Sequence, residues 1–261
     1  MIVTSKKMKV LVTGAGGRIG QAFREIYRNH YSLRLMYHRK PVEPSIGEEI
    51  VHADITDFDS VLKATEGVQA VVHLAANPRV NAPWDSILNT NIIGTYNVFE
   101  SARRCGVKKI VFASSNHACG FAVNEYDLVG PDAPVRPDSL YGVSKAFGEA
   151  LGRYYFEKFG LSVICLRIGW CPGLEDPTPI FEEMLSGRRP LLTYSAKKLI
   201  AMWISNRDMA QLIHRSLEAD VEFGIFYGAS DNTPGIFDLT ETKKKLGYEP
   251  RDRVEDYIGE L

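Results

Sequence analysis

The chain has 261 residues, 45% of them hydrophobic and 24% charged, a composition typical of a globular protein with one large core. Its 31 basic and 32 acidic residues leave a formal net charge of -1, which excludes the basic footprint of a nucleic-acid or anionic-membrane binder. No apolar run approaches the ~18 residues of a membrane span, and no signal peptide is recognisable. Four cysteines without paired metal spacing predict reduced thiols, no bound metal and a cytoplasmic location.

Short apolar runs alternate with amphipathic stretches along the chain. Runs rich in Val, Ile and Leu predict strands at 8–13, 33–37, 49–52, 70–74, 109–113 and 163–167. Parallel strands that are buried on both faces have this appearance, and helical patterns lie between them. The sequence therefore predicts an α/β fold with a doubly wound, Rossmann-type parallel sheet. We expect a nucleotide-binding domain at 1–168 and a small, interleaved substrate-binding part at 169–261.

The first predicted strand runs into a glycine-rich turn, which a helical pattern follows. The spacing G-x-x-G-x-x-G between strand and helix is the context of a dinucleotide fingerprint. Glycines permit a tight turn and let backbone N–H groups approach a pyrophosphate at the positive end of the helix. A tight turn that binds nothing is the alternative. The predicted NAD or NADP contacts here are Gly14, Gly16, Gly17, Arg18, Ile19 and Gly20.

The ends of the next strands bear on the choice of cofactor. A carboxylate after the second strand would bind the ribose and disfavour a 2'-phosphate. This chain has His38, Arg39 and Lys40 instead, which favours NADP, unless these are solvated loop charges. Asp54 is predicted to bond the adenine amino group, or alternatively to cap the helix that begins near Asp57. Further predicted cofactor contacts are Ile55, Leu74, Ala75, Ala76, Asn91 and Ile168.

A phenol and an ammonium lie four residues apart, at Tyr141 and Lys145, so they share one face of a predicted helix. A cation beside a phenol stabilises the phenolate and draws its pKa down from ~10, so that it can deprotonate a substrate hydroxyl. The fifth strand ends in Ser115, Asn116 and His117, three polar side chains that are hard to explain as core. Ser115 is predicted to orient the substrate oxygen, and His117 as the principal base is the competing assignment.

Other polar residues are candidates for the substrate side of the site. Arg79, after the fourth strand, is predicted to project toward substrate. Asn91 either helps to position Lys145 or is a buried amide satisfied locally. Gly94, inside a helical pattern from 83 to 104, predicts close packing, since glycine there costs ~1 kcal/mol relative to alanine. Four cations are candidates for binding a phosphate or a sugar acid, or are solvated charges: Arg188, Arg189, Lys197 and Lys198.

Together these motifs resemble the extended short-chain dehydrogenase/reductase superfamily, which includes the NAD-dependent epimerases and dehydratases. The stretches 112–117, 136–145 and 167–169 are more specifically similar to uronate dehydrogenases and related archaeal-type hexose C1 dehydrogenases. That resemblance implies NAD(P)-dependent oxidation of a hexose or hexuronate at C1 to the lactone. It implies that Tyr141 is the base, that Lys145 holds the nicotinamide ribose, and that Ser115, Asn116 and His117 contact the sugar. It also implies a homodimer that pairs through the helices at 83–104 and 140–159.

Three positions depart from the uronate dehydrogenase pattern. Tyr37, His38 and Arg39 replace the acid after the second strand, and Trp170 stands where a serine is expected. Lys198 is nearest to the position of the arginine that holds the substrate carboxylate. An ammonium is a point charge rather than a bidentate fork, so carboxylate recognition does not follow from the resemblance. Trp170 and Lys198 are nevertheless predicted to contact substrate.

Two other functions fit parts of this pattern. A nucleotide-sugar epimerase or dehydratase uses the same Tyr and Lys, but it commonly has a larger C-terminal region than the ~90 residues after Gly169. A non-catalytic NAD(P)-sensing protein would not need the proton-transfer pair. The sequence therefore favours a sugar dehydrogenase with a small-molecule substrate and no nucleic-acid or membrane partner.

Overall fold

A computed structural model describes residues 7–259 of the chain. The strands are β1 (Lys9–Thr13), β2 (Ser32–Tyr37), β3 (Glu49–His52), β4 (Ala70–His73), β5 (Lys109–Ser115), β6 (Ser162–Ile168) and β7 (Phe223–Gly228). The helices are α1 (Arg18–Tyr27), α2 (Phe58–Thr65), α3 (Trp84–Ser86), α4 (Gly94–Arg104), α5 (Gly120–Glu125), α6 (Leu140–Phe159), α7 (Thr178–Leu185), α8 (Ala196–Ala201), α9 (Asn206–Glu218), α10 (Thr240–Leu246) and α11 (Glu255–Ile258). A π-helical segment (Ile87–Ile93) joins α3 to α4, and a 3₁₀ turn (Asn116–Cys119) joins β5 to α5.

The strands form one sheet in the order β3-β2-β1-β4-β5-β6-β7, and every neighbouring pair is parallel. The predicted doubly wound architecture is thus confirmed. Thr13 is in register with His73, and Ser115 is in register with Ile168. The carboxyl ends of β1, β4, β5 and β6 therefore meet along one edge, which is where ligands bind to sheets of this kind.

Alternate residues of each central strand supply two separate cores. Val10 and Val12 of β1 pack on the face that carries α1 and α9, in a cluster with Phe23. Leu11 lies on the opposite face with Phe99 of α4 and residues of α2. Burial on both faces explains why the strands appear in the sequence as unbroken apolar runs.

The segment after residue 168 contributes a strand and a helix to the main sheet and its core. Its strand β7 pairs with β6, and Tyr31 donates a hydrogen bond to Glu218 at the end of α9 at 2.8 Å. Strand β7 was not predicted from the sequence, because Gly224 and Gly228 interrupt its apolar pattern. A smaller cluster lies beside this sheet and contains Phe181, Met184, Ile200, Trp203 and Val254. The predicted boundary at residue 168 stays a prediction.

Helix α6 begins and ends at residues suited to those positions. The Ser139 hydroxyl accepts a hydrogen bond from the Gly142 N–H at 3.0 Å, and Gly160 ends the helix with φ of 66°. Close packing at Gly94 is confirmed, because a Cβ there would lie 2.7 Å from Ile55. The four cysteines are free thiols. Among residues 7–259 we find no helix with the length and apolarity needed to cross a membrane.

Candidate active site

The glycine turn between β1 and α1 is shaped by close backbone contacts. Gly14 has φ of 69°, and a Cβ on it would lie 2.8 Å from the Ala75 nitrogen. A Cβ on Gly20 would lie 2.8 Å from the Ala15 oxygen. Within the described residues no side chain caps α1 at Gly17, so its first N–H groups are free to bind an anion. The turn therefore fits a dinucleotide pyrophosphate.

Thr13 joins this turn to the segment after β4. Its hydroxyl accepts hydrogen bonds from the N–H groups of Leu74 and Ala75, each at 3.2 Å, and it lies 2.8 Å from Nδ1 of His73. His73 is fully buried, and burial followed by the charge of Lys145 lowers its pKa to about 3. This role of Thr13 was not predicted from the sequence, although a hydroxyl residue directly before the first glycine is a recognisable signal.

The three basic residues after β2 lie exposed at the carboxyl edge of the sheet. His38 Nε2 is 3.5 Å from the Asp54 carboxylate. In the described part of the chain the Arg39 side chain makes neither an ion pair nor a hydrogen bond. The alternative role of Asp54 as a helix cap is wrong, because Asp57 itself caps α2 by accepting from the Asp59 N–H at 3.2 Å.

Tyr141 and Lys145 lie on one face of α6, as their spacing predicts. The Lys145 Nζ is 5.4 Å from the centre of the Tyr141 ring and donates to the Ala113 oxygen at 2.7 Å. Burial lowers the pKa of Lys145 to about 8, against the opposing effect of Glu149. An amine with that pKa is still mostly charged at pH 7, so a cation stands beside the phenol.

The Tyr141 phenol does not have the lowered pKa that the sequence analysis expects. Burial raises its pKa to about 12, and the nearby Ser115 hydroxyl offsets only part of that rise. Desolvation disfavours the phenolate more strongly here than the Ser115 hydroxyl favours it. In the protein alone Tyr141 is therefore a neutral phenol at pH 7.

Asn91 connects the segment after β4 to α6. Its Oδ1 accepts from the Asn77 N–H at 2.8 Å, and its Nδ2 donates to the Asn77 carbonyl and the Ser144 hydroxyl, each at 3.1 Å. Ser144 directly precedes Lys145, so Asn91 holds the helix turn that carries the ammonium. Arg79, two residues after Asn77, is exposed.

His117 belongs to a hydrogen-bonded cluster that the sequence analysis missed. Its Nδ1 lies 2.9 and 3.0 Å from the two carboxylate oxygens of Asp138. The Tyr194 hydroxyl donates to the same carboxylate at 2.8 Å, and the Ser139 hydroxyl does so at 3.0 Å. Burial raises the pKa of Asp138, but these bonds outweigh it and the net pKa is lowered. Asp138 and Ser139 before a helix carry a capping signal, whereas Tyr194 has no sequence signal.

Three other predicted substrate contacts have side chains that are partly or fully engaged by the protein. Asn116 Nδ2 donates to the Ile168 carbonyl at 3.1 Å, while its buried Oδ1 has no partner among residues 7–259. Trp170 packs against Phe181, with ring centres 5.8 Å apart. The Lys198 assignment needs correction: its ammonium donates to the carbonyls of Val123 and Asn124, at 2.6 and 2.7 Å. It thereby caps the end of α5 instead of facing an open site.

A buried ion pair joins α6 to β6. Arg167 and Glu149 form two hydrogen bonds of 2.9 Å, and the Ser114 hydroxyl donates to Glu149 at 2.6 Å. Glu149 follows Lys145 by one helical turn, and its charge acts to raise the Lys145 pKa. The Glu149 carboxylate therefore favours the charged form of Lys145.

Comparison with known proteins gives consistent matches along nearly the whole chain. The model of the NAD dependent epimerase/dehydratase family matches residues 10–226. The NAD-dependent glucose-6-phosphate dehydrogenase of Haloferax volcanii is 39% identical, with 96% of each chain covered. The L-arabinose 1-dehydrogenase (NAD(P)(+)) of the same organism is 37% identical, covering 94% of this chain and 96% of that one.

A solved structure of similar sequence shares the fold. The crystal structure of uronate dehydrogenase from Agrobacterium tumefaciens superposes with a TM-score of 0.81 at 36% identity, covering 97% of this chain and 87% of that one. A variant of that enzyme has been solved in complex with NAD. The sheet and helices described above are thus those of known nicotinamide-binding proteins.

Proposed function

Because the chain belongs to the NAD dependent epimerase/dehydratase family, we propose that it is an NAD(P)-dependent dehydrogenase that oxidises a hexose or hexuronate at C1 to the lactone. The observation that carries this proposal is the convergence of Tyr141, Lys145 and Ser115 beside the glycine turn, at the carboxyl edge of the sheet. The named activities of the relatives, which are oxidations of glucose 6-phosphate, arabinose and uronates, support the same substrate class.

The arrangement supplies each protein group that such an oxidation needs. Tyr141 removes the proton of the C1 hydroxyl, and the Lys145 ammonium stabilises the phenolate that takes it. Ser115 holds the substrate oxygen next to Tyr141, since its hydroxyl already acts on that phenol. A bound oxidised nicotinamide would accept the hydride from C1. The glycine turn and the uncapped start of α1 bind the phosphates and fix the distance over which these groups act.

Replacement of the base tests this assignment. We expect Tyr141→Phe to lower kcat about 10²- to 10⁴-fold, because general base catalysis is lost. Cofactor affinity, measured by calorimetry, should stay within about twofold, since α1 and the glycine turn are untouched. Tyr126→Phe, at an exposed tyrosine outside α4 and α6, is the matched control. Full turnover in Tyr141→Phe would reject Tyr141 as the base, and a wild type that binds cofactor without any turnover would indicate a sensing protein.

The substrate is identified by a direct screen. Glucuronate, galacturonate, glucose, arabinose and glucose 6-phosphate are offered separately with NAD and with NADP, and reduced cofactor is measured by its absorbance. We expect reduction with at least one free sugar, sugar phosphate or uronate. Silence with all of these together with conversion of a nucleotide sugar would move the assignment to an epimerase or dehydratase.

We also propose that the site favours NADP. Arg39 is exposed after β2, with no partner among residues 7–259, and no acid stands at that strand end to repel a 2'-phosphate. Arg39→Ala should raise KM for NADP about tenfold and leave KM for NAD unchanged, because only NADP carries the added charge. Lys108→Ala, at the opposite edge of the sheet, is the control. An equal effect of Arg39→Ala on both cofactors would contradict the assignment.

A homodimer is proposed through the helices α4 and α6. Large apolar side chains are exposed on both helices, which favours a covered surface there. They are Tyr96, Leu140, Val143, Tyr154 and Phe159. Sedimentation at micromolar concentration should give a dimer in the wild type and a monomer in Val143→Glu. A wild type that sediments only as a monomer would remove this proposal.

A further inference from the structure

We propose that Asp138 and Tyr194 are positioning residues that fix the tautomer of His117, with Nδ1 as donor and Nε2 as acceptor for a substrate hydroxyl. The hydroxyl is one other than the C1 hydroxyl that Tyr141 deprotonates. This inference rests on the proposed function, because it assigns a second polar contact to the same sugar. It extends the site to two residues outside the glycine turn and the Tyr–Lys pair.

The hydrogen bonds of the Asp138 carboxylate determine where the proton of His117 lies. Its side chain is 2% exposed and accepts from Tyr194 and Ser139, at 2.8 and 3.0 Å. An ionised carboxylate has no proton to donate, so the Nδ1 that lies 2.9 Å from it must carry one. In a neutral imidazole the other nitrogen is then an acceptor.

The aromatic neighbours of His117 hold its ring beside the catalytic phenol. Tyr194 is stacked on the imidazole, with ring centres 5.2 Å apart at an angle of 27°. The Tyr141 ring meets the imidazole edge-on, with centres 5.7 Å apart at 71°. Over the described range 7–259, Nε2 of His117 has no hydrogen-bond partner. The free acceptor, Nε2 of His117, thus lies on a ring in contact with Tyr141, the proposed base.

The chain makes specific room for this buried carboxylate. A Cβ on Gly120 would overlap the Asp138 side chain, so only glycine is compatible with its position. Three separate segments meet at the carboxylate: the 3₁₀ turn that carries His117, the start of α6, and the segment that carries Tyr194. A buried charge is costly unless it is fully hydrogen-bonded, and apolar replacements often stabilise such positions. The arrangement is better explained by the orientation of His117 than by stability.

An acceptor nitrogen selects a substrate that presents a hydroxyl donor. A sugar with that hydroxyl completes the hydrogen bond of Nε2, whereas a deoxy analogue leaves the nitrogen unpaired once water is excluded. The predicted substrates are therefore polyhydroxylated sugars rather than simple secondary alcohols or hydroxyacyl compounds. A shift of the His117 proton from Nδ1 to Nε2 would convert Nε2 from an acceptor into a donor and weaken its contact with the substrate hydroxyl.

The tautomer is measured without any substrate. Nitrogen NMR of histidine-labelled protein, with the His117 signals assigned by His117→Gln, should show the proton on Nδ1 in the wild type. Asp138→Ala removes the acceptor and should shift the proton to Nε2, whereas Asp138→Asn keeps one acceptor oxygen and should restore the wild-type tautomer in part. Asp132→Ala, an exposed aspartate, should change nothing. A wild type with the proton on Nε2 would overturn the proposal, even if Asp138→Ala does not fold.

Kinetics test the link to substrate. Asp138→Ala should raise KM for the sugar at least tenfold and leave KM for the cofactor unchanged, and Tyr194→Phe should have a smaller effect in the same direction. In a series of monodeoxy sugars, one should lack the hydroxyl that His117 binds. For that sugar the KM values of wild type and Asp138→Ala should differ less than threefold. An equal rise in KM for every sugar in Asp138→Ala, or a change confined to the KM of the cofactor, would overturn the proposal. Absence of all sugar oxidation in the wild type would instead reject the proposed function and leave the tautomer to the NMR result.

Discussion

At the level of single residues, burial opposes the charged forms of the groups around the proposed reaction. Tyr141 has a pKa raised to about 12, and Lys145 and His73 have pKa values lowered to about 8 and about 3. The protein alone therefore holds a neutral phenol beside an ammonium. Proton removal by Tyr141 requires that the environment of the occupied site favours the phenolate more than the free protein does.

The neutral imidazole of His73 makes acid stability a sensitive measure of this site. A histidine in the unfolded chain binds a proton below about pH 6.5, whereas folded His73 remains neutral until about pH 3. The contribution of neutral His73 to the free energy of unfolding is therefore complete above pH 6.5. As the pH falls below 6.5, this contribution is lost by up to ~1.4 kcal/mol for each pH unit. Between pH 6.5 and 5, denaturant unfolding of the wild type should lose ~1–2 kcal/mol more than that of His73→Gln.

The control for that comparison is an exposed histidine of the same chain. His30→Gln should keep the pH dependence of the wild type, because His30 is exposed and lies away from the site. If the free energy of unfolding depends on pH equally in wild type and His73→Gln, His73 is not held neutral in the folded protein. That result would contradict its lowered pKa.

Residues that act through local spacing were predictable, and residues that act across long sequence separations were not. The pair Tyr141 and Lys145 was placed on one helical face by its spacing, and the structure confirms that geometry. Tyr194 meets Asp138 across 56 residues, from a segment without periodic pattern. The predicted direction of the Tyr141 pKa shift was wrong, because desolvation depends on tertiary burial that spacing alone does not give.

At the level of elements, the position of α6 depends on its close approach to β5 and β6. A Cβ on Gly148 would overlap the ring of Phe112, and one on Gly152 would lie 2.9 Å from Val163. The Phe112 ring is buried and lies 5.0 Å from the Lys145 ammonium. These glycines let the helix carry Tyr141 and Lys145 close to the sheet edge.

Alanine at these two glycines should therefore destabilise the protein, although alanine favours helices in general. Gly148→Ala is expected to lower the free energy of unfolding by ~1–3 kcal/mol through overpacking, and Gly152→Ala should have a smaller effect. Gly148→Ala should also lower kcat, since displacement of α6 moves the reacting groups. Stabilisation by Gly148→Ala, measured by denaturant unfolding, would contradict this account of the helix packing.

The helical segment that carries Asn91 contains a local feature that hydrophobic periodicity does not predict. The sequence predicts one helix from 83 to 104, and helical structure does run from Trp84 to Arg104. Within it the segment Ile87–Ile93 is π-helical, a local widening that is frequent at functional sites. Hydrophobic periodicity cannot distinguish this widening from an α-helical turn, yet Asn91, with its bonds to Asn77 and Ser144, lies inside it.

At the level of the whole molecule, the segment after residue 168 is part of the main sheet. Met209 and Leu212 of α9 belong to the same core cluster as Val10 and Ile164. The doubly wound topology was predictable from alternating apolar and amphipathic runs, whereas β7 was not, because its two glycines and its edge position weaken the pattern. The interleaving itself was expected from the sequence.

Because one core cluster contains residues from both sides of residue 168, we expect a single unfolding transition. Thermal unfolding of the full chain, followed by near-UV and far-UV circular dichroism, should give coincident curves. A fragment that ends at residue 168 should lack this transition, because β6 loses its partner β7 and the α9 side of the core is exposed. Two separated transitions, or a fragment that unfolds cooperatively, would show that the two parts are independent domains.

The most direct test of the proposed function is the chemical identity of the product. A sugar found active in the screen, carrying an NMR-active carbon label at C1, is incubated with the protein and its preferred cofactor, and reduced cofactor is quantified in the same sample. We predict that the labelled carbon becomes a lactone or the acid derived from it, in a one-to-one ratio with reduced cofactor. A labelled carbon that remains a hemiacetal while another centre of the sugar changes would contradict C1 oxidation.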